Sequence, residues 1–226
     1  MAKVVHVIAI GMNKDRIMDS LKSSGYPIQK AYLVVPESRE FESIADEFEK
    51  VLSVLVEIEK IKVTDTDVFG SAIKILQTLK KELEEGNTIF INATDAPRTL
   101  MVSLYITAQL TGGKMYVALP KYEAGKEVGI SEIVEIQVPP LKRIGQDKIK
   151  ILKAVYDNGK VVDSINSLIK IVEGKLEKAK AYMAQRAKMS YHLKGLENDG
   201  LIEMRREGKN VKIYLTPLGE AFCAIN

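Results

Sequence analysis

Three stretches carry side chains whose types and spacing could do chemistry. Two are short loops, 10-IGMNKDR-16 and 92-NATDAPR-98. Each follows an apolar, β-prone run and precedes a helix-like run, and N–H groups at a helix start favour anions. In the second loop Asn92 and Thr94 offer hydrogen bonds and Arg98 lies one helical turn further on, a set suited to a nucleotide. A purely structural reading competes: Asp95 caps the helix with Pro97 in its first turn, and Asp15 caps the first helix. The third stretch is 186-RAKMSYHLKGLENDGLIEMRREGKNVKIYLTPLG-219. Met189, Leu193 and Leu196 recur at helical spacing, which leaves Arg186, Lys188, Ser190, Tyr191 and Lys194 largely around the other face. Arg205, Arg206, Lys209 and Lys212 then gather on a hairpin. A polar, basic helix fits the DNA major groove, and a basic hairpin beside it neutralises phosphates.

Other chemistries are argued against. One cysteine, Cys223, and two histidines, His6 and His192, supply neither a disulfide nor a metal set at sensible spacing. No Gly-x-Gly-x-x-Gly follows the first strand-like run and no P-loop motif is present, which disfavours a dinucleotide oxidoreductase and a P-loop ATPase. No Ser–His or Cys–His pair is visible, and neither histidine lies in a candidate loop.

The elements that must position these residues follow from hydrophobic patterning. The chain of 226 residues is 46% hydrophobic and 28% charged, ordinary for a soluble globular protein. Its apolar runs fall short of the roughly 18–20 residues of a membrane span. The start MAKVVHVIAIG lacks a cleavage pattern and reads as a strand rather than a signal peptide, and the single cysteine makes a cytoplasmic location the expectation. Strand-like runs at 3–10, 31–35, 55–63, 88–91 and 114–119 alternate with helical patterns at 15–23, 41–52, 67–84 and 96–110. That alternation predicts a Rossmann-like α/β parallel sheet. Residues 122–129 read as a turn leading to a last strand at 133–138, an antiparallel hairpin on the sheet edge.

Pro139 and Pro140 then break the chain, predicting domains at 1–140 and 141–226. The second part is predicted as helices at 147–156, 161–172 and 176–197, a hairpin at 201–215, and a short helix capped by Thr216. Residues 141–226 hold 17 basic and 10 acidic residues, against 16 basic and 20 acidic before them. This asymmetry points the second part toward a polyanion.

The residues SYHLKGLENDGLI, the basic hairpin and TPLGEAF resemble the winged helix-turn-helix domain of prokaryotic transcription regulators. With HVIAIGMNKDRI and INATDAPRTLMVSLYITAQLTGGKMYV before them, the whole chain is similar to the CRISPR-associated Rossmann-fold (CARF) regulators of archaea and related CARF-like winged-helix proteins. The resemblance implies a homodimer with a cleft across its two-fold axis. Gly11, Met12, Asn13, Asn92, Thr94, Asp95 and Arg98 would line that cleft. It implies no resident cofactor, but a cyclic oligoadenylate or other nucleotide as effector. Ala96-Pro97 stands where that family usually carries glycine, and Pro97 removes an N–H donor. Double-stranded DNA is the implied partner of Arg186, Lys188, Ser190, Tyr191, Lys194, Arg205, Arg206, Lys209 and Lys212. Two rivals stay open: a nuclease that cleaves a cyclic oligonucleotide in the same cleft, and a DNA-binding dimer with no ligand.

Overall fold

The computed structural model describes residues 2–138, 144–174, 179–208 and 210–225, with side chains in the longest C-terminal helix described from Tyr182 onward. The chain divides into two compact units, Met1–Leu141 and Lys142–Asn226. The expected boundary after Pro140 and the wing residue Lys209 lie outside the described residues.

In the first unit β1 (Val4–Ala9), α1 (Lys14–Ser24), β2 (Lys30–Pro36), α2 (Arg39–Leu52), β3 (Glu57–Val63), α3 (Val68–Glu84), β4 (Thr88–Asn92), α4 (Arg98–Thr111), β5 (Lys114–Glu123) and β6 (Lys126–Ile136) follow in order. The sheet order is β3-β2-β1-β4-β5-β6. β1 to β5 run parallel, and β6 returns antiparallel to β5. β1 reads as an unbroken apolar run because both its faces are covered. Val5, Val7 and Ala9 join the core that includes α3 and α4, while Ile8 and Ile10 join the core that includes α1 and α2.

The segment read as a turn at 122–129 is instead the outer half of a long hairpin. Its turn is tight, with Ala124 at φ 49° and Gly125 at φ 78°, the left-handed pair that a two-residue hairpin connection requires. Register shifts at Leu119/Pro120 and Lys121/Tyr122 are bulges that bend the hairpin, and its strands contact α1. Pro120 and Gly129 conceal this strand from pattern reading.

At the amino ends of the strands, Lys30 is almost fully buried among carboxylates. Its Nζ lies 2.7 Å from Glu59, 3.1 Å from Glu57 and 3.1 Å from Glu82. Tyr32 Oη and Asn87 Nδ2 each donate to Glu82 at 2.7 Å. Burial alone would raise the Glu82 carboxyl, but the donors Tyr32, Asn87 and Lys30 hold it below its ordinary value.

His6, fully buried beneath α1, stacks on Phe90 at 5.4 Å and meets Tyr116 edge-on at 6.4 Å. Burial pushes its imidazole down to about 4, opposed only in part by the Pro27 carbonyl 3.2 Å from Nε2. It is therefore neutral in the folded chain, while the unfolded chain takes up a proton below the ordinary value of 6.5. The stability this provides is complete above 6.5 and is lost as pH falls from there toward 4, by up to about 3 kcal/mol. Urea unfolding at pH 7 and pH 4.5 should show a distinctly smaller loss for His6→Gln than for the parent. Equal losses in both would remove His6 as the cause.

The second unit has its own core. It contains α5 (Gln146–Asp157), β7 (Val161–Val162), α6 (Ile165–Glu173), α7 (Ala179–Asn198), β8 (Ile202–Glu207), β9 (Asn210–Leu215) and α8 (Pro217–Ile225). Helices α5, α6 and α7 and a three-stranded sheet of order β7-β9-β8 form a winged helix, which α8 follows. Residues 161–172, expected as one helix, split in two. The β-branched pair Val161–Val162 bonds to Ile213 and Tyr214, and Ser164 then caps α6 by accepting from the Ser167 amide. Thr216 accepts from the Gly219 amide at 3.1 Å, as expected of the cap of α8.

Candidate functional site

The strand order reverses between β1 and β4, the two strands whose following loops hold the candidate residues. Such a switch point opens a crevice outside the carboxyl ends of a parallel sheet. Here the two loops touch. A Cβ on Gly11 would sit 1.8 Å from the Asp95 carbonyl oxygen, so only glycine lets the loops approach this closely.

Asp95 is not the cap of α4. Pro97 occupies that position and offers no side-chain cap bond. Asp95 instead reaches across to the first loop: Oδ2 accepts the Asn13 amide at 2.7 Å and Oδ1 accepts Arg16 Nη1 at 3.0 Å. Asn13, not Asp15, caps α1, its Oδ1 accepting the Arg16 amide at 3.0 Å. Asn92 is buried and donates from Nδ2 to Ser20 Oγ at 2.7 Å, while its Oδ1 accepts the Thr94 amide. Thr94 Oγ1 accepts the Ala118 amide at 2.9 Å, tying the second loop to β5. The side chains of Asn92, Thr94 and Asp95 thus build the loops, whereas Met12 is 64% exposed and Arg98 is exposed with no ion pair among the described residues.

Two residues not singled out from the sequence complete the cluster. Arg16 also donates to Glu127 of the hairpin, Nε to Oε1 at 2.8 Å and Nη2 to Oε2 at 2.6 Å. Hydrogen bonding to Glu127 holds the guanidinium above, and the Glu127 carboxyl below, their ordinary values. One cation and two carboxylates leave this cluster with a net negative charge. Arg16 was visible at the end of the first stretch, but Glu127 lies 111 residues away and no local pattern joins them.

On the second unit α7 buries Met189, Leu193 and Leu196 and exposes Arg186, Lys188, Ser190, Tyr191 and Lys194. Several cations of α7 and the wing are already paired. Lys188 lies 2.9 Å from Asp147, and Arg205 grips Glu203 through Nε and Nη2 at 2.7 and 2.8 Å. Lys212 lies 2.9 Å from Glu207. Arg186, Lys194 and Arg206 make no ion pair among the described residues and are exposed. The wing face bearing Glu203, Arg205, Glu207, Lys212 and Tyr214 is therefore largely self-neutralised, which counting basic residues along the chain does not reveal.

Residues 4–123 match the family model described as "HFX_2341_N:-like, N-terminal", and residues 147–226 match the DUF6293 C-terminal winged helix domain. The chain belongs to the HFX_2341 N-terminal-like family. It is 45% identical over 225 residues to an uncharacterised protein of Archaeoglobus fulgidus, covering 100% of this chain and 99% of that one. Among solved structures, this family member is similar to Enterococcus italicus Csm6 bound to cyclic hexa-2'-fluoro-hexa-dAMP, with TM-score 0.45 and 13% identity over 89% of this chain and 57% of the other. It is also similar to Can2 from Sulfobacillus thermosulfidooxidans in complex with cyclic tetra-adenylate, with TM-score 0.40 and 10% identity over 98% and 61%. The chain thus spans less than two thirds of the length of either. No helix among the described residues of this HFX_2341-like protein is long and apolar enough to cross a membrane.

Proposed function

We propose that this protein is a DNA-binding transcription regulator of CARF-like type, acting as a homodimer in the cytoplasm. Its C-terminal winged helix holds double-stranded DNA, and its N-terminal unit receives a nucleotide-type effector at the β1/β4 switch point. The observation that carries the DNA half is the solvent face of α7. Tyr191 is 76% exposed there, beside exposed Arg186, Ser190 and Lys194 on a helix whose other side is core. A helix offering unpaired cations and hydrogen-bonding tips is suited to base edges and phosphates in the major groove.

Dimerisation through the first unit is supported by exposed apolar side chains toward the carboxyl end of its sheet. Met12 is 64%, Val102 49%, Tyr122 60% and Val128 50% exposed. Exposed apolar residues also occur at the other end of the sheet, at Val51, Val54 and Leu55, so the carboxyl-end group supports a protein contact through its place beside the candidate loops. A two-fold dimer would read a pseudo-palindromic site.

The test is a fluorescence-anisotropy titration against the DNA upstream of the protein's own coding sequence, repeated from about 50 to 200 mM salt. Affinity should fall steeply, with a log–log slope of roughly −0.9 per phosphate contacted. Arg206→Ala should reduce the slope by about one contact, whereas Arg205→Ala, already held by Glu203, should change it less. No binding at low salt would end the regulator reading; equal effects of the two variants would reject the paired arrangement of the wing. Incubation with labelled cyclic tetra-adenylate tests the enzyme alternative, since cleavage abolished in Arg98→Ala would replace the effector reading by a nuclease.

A further inference from the structure

The Arg16–Glu127 pair has the form of a ligand contact filled from within. The carboxylate meets the guanidinium edge through two parallel hydrogen bonds, 2.8 Å at Nε and 2.6 Å at Nη2. A phosphate presents two oxygens at a similar spacing, and the same guanidinium fork accepts either group. Arg16 is also well placed for a ligand at the switch point. It lies in the first turn of α1, its backbone amide bonded to Asn13 of the first loop and its Nη1 to Asp95 of the second.

The two carboxylates on Arg16 are held very differently. Asp95 is part of the loop framework: both its oxygens are engaged, and its backbone lies against Gly11. Glu127 hangs from the hairpin next to its tight turn, beyond two bulges, with its side chain 22% exposed. Besides Arg16, its described contact is a long one, 3.4 Å from Asn13 Nδ2. An incoming anion can therefore take Arg16 from Glu127 by moving a bent hairpin, but not from Asp95 without dismantling both loops.

We propose that Glu127 is a tethered stand-in for phosphate, an autoinhibitory contact that a phosphodiester of the effector displaces from Arg16, freeing the outer β5–β6 hairpin. This rests on the reading of the switch point as a nucleotide site. With Glu127 in place the cluster is net negative and repels a polyanion; its displacement makes Arg16 available and couples occupancy to the hairpin. β6 is the last strand of the first unit, so the moving segment lies on the covalent path toward the winged helix.

Two measurements on the full chain separate the contact from the site. Hydrogen exchange of residues 119–130 without ligand should be at least about tenfold faster in Glu127→Gln than in the parent, because the neutral amide loses the charged fork. Unchanged exchange overturns the proposal whatever binds. Calorimetry with cyclic tetra-adenylate should then show Glu127→Gln binding about tenfold more tightly than the parent, with binding lost in Arg16→Gln and weakened in Arg16→Lys, which keeps the charge but not the fork. Circular dichroism checks that each variant folds. Equal affinity of parent and Glu127→Gln rejects the stand-in and leaves the nucleotide site intact. A loosened hairpin with no binding in any variant overturns the nucleotide reading and the displacement step with it.

Discussion

Gly11→Ala is expected to destabilise the N-terminal unit by about 3 kcal/mol or more and to separate the loops that follow β1 and β4. The added methyl would sit 1.8 Å from the Asp95 carbonyl oxygen and 2.3 Å from its Oδ2. The obstacle is backbone as well as side chain, so no rotamer change clears it. Moving Asp95 away would break its bond to the Asn13 amide and its pair with Arg16, at 2.7 and 3.0 Å. The substitution therefore carries overpacking together with the loss of a partly buried polar network. Urea unfolding compared with Met12→Ala, which trims a side chain already 64% exposed, isolates the effect. A loss below about 0.5 kcal/mol, the range of ordinary surface changes, would mean that the loops are not packed this closely.

Glu82→Ala should cost about 3–5 kcal/mol, the range for breaking a buried ion pair by removing one partner. Its side chain is 5% exposed and receives hydrogen bonds from Tyr32 and Asn87 as well as facing Lys30. Removal strands the Tyr32 hydroxyl and one Asn87 donor and takes from Lys30 its most buried counter-charge. Glu57→Ala is the control. That carboxylate also faces Lys30, at 3.1 Å, but is 58% exposed, so its loss should cost at most about 1 kcal/mol. Denaturant midpoints of the two variants decide the matter: comparable losses would show that Glu82 is not the keystone of the cluster. Because the cluster lies at the amino ends of the strands, the loss should appear in global stability and leave the loops at the carboxyl ends arranged as before.

Much of this architecture is legible in local patterns. β1 reads as a two-sided strand because five of its six residues are buried. The α7 face reads correctly because Met189, Leu193 and Leu196 are its buried members among the described residues, leaving Arg186, Ser190 and Lys194 outward. Legibility ends where a partner is distant in sequence. β7 is only two residues long and exists because Ile213 and Tyr214 pair with it, so Val161–Val162 resembles a helix start until the wing is in place. The outer hairpin is hidden by Pro120 and Gly129, which mark turns locally but here accompany bulged strands.

The sequence by itself determined the alternation of strands and helices through β5, and the charge contrast between an acidic first part and a basic second. Periodicity and charge content are local quantities, and burial imposes them one residue at a time. The tertiary structure decided what each polar group does. Asn92, Thr94 and Asp95 face neighbours 24 to 82 residues away and are used to hold the loops, and Glu127 reaches Arg16 across 111 residues. Whether a carboxylate caps a helix, braces a loop or fills an arginine fork depends on which donor the fold brings within 3 Å of it, and no spacing along the chain carries that distance.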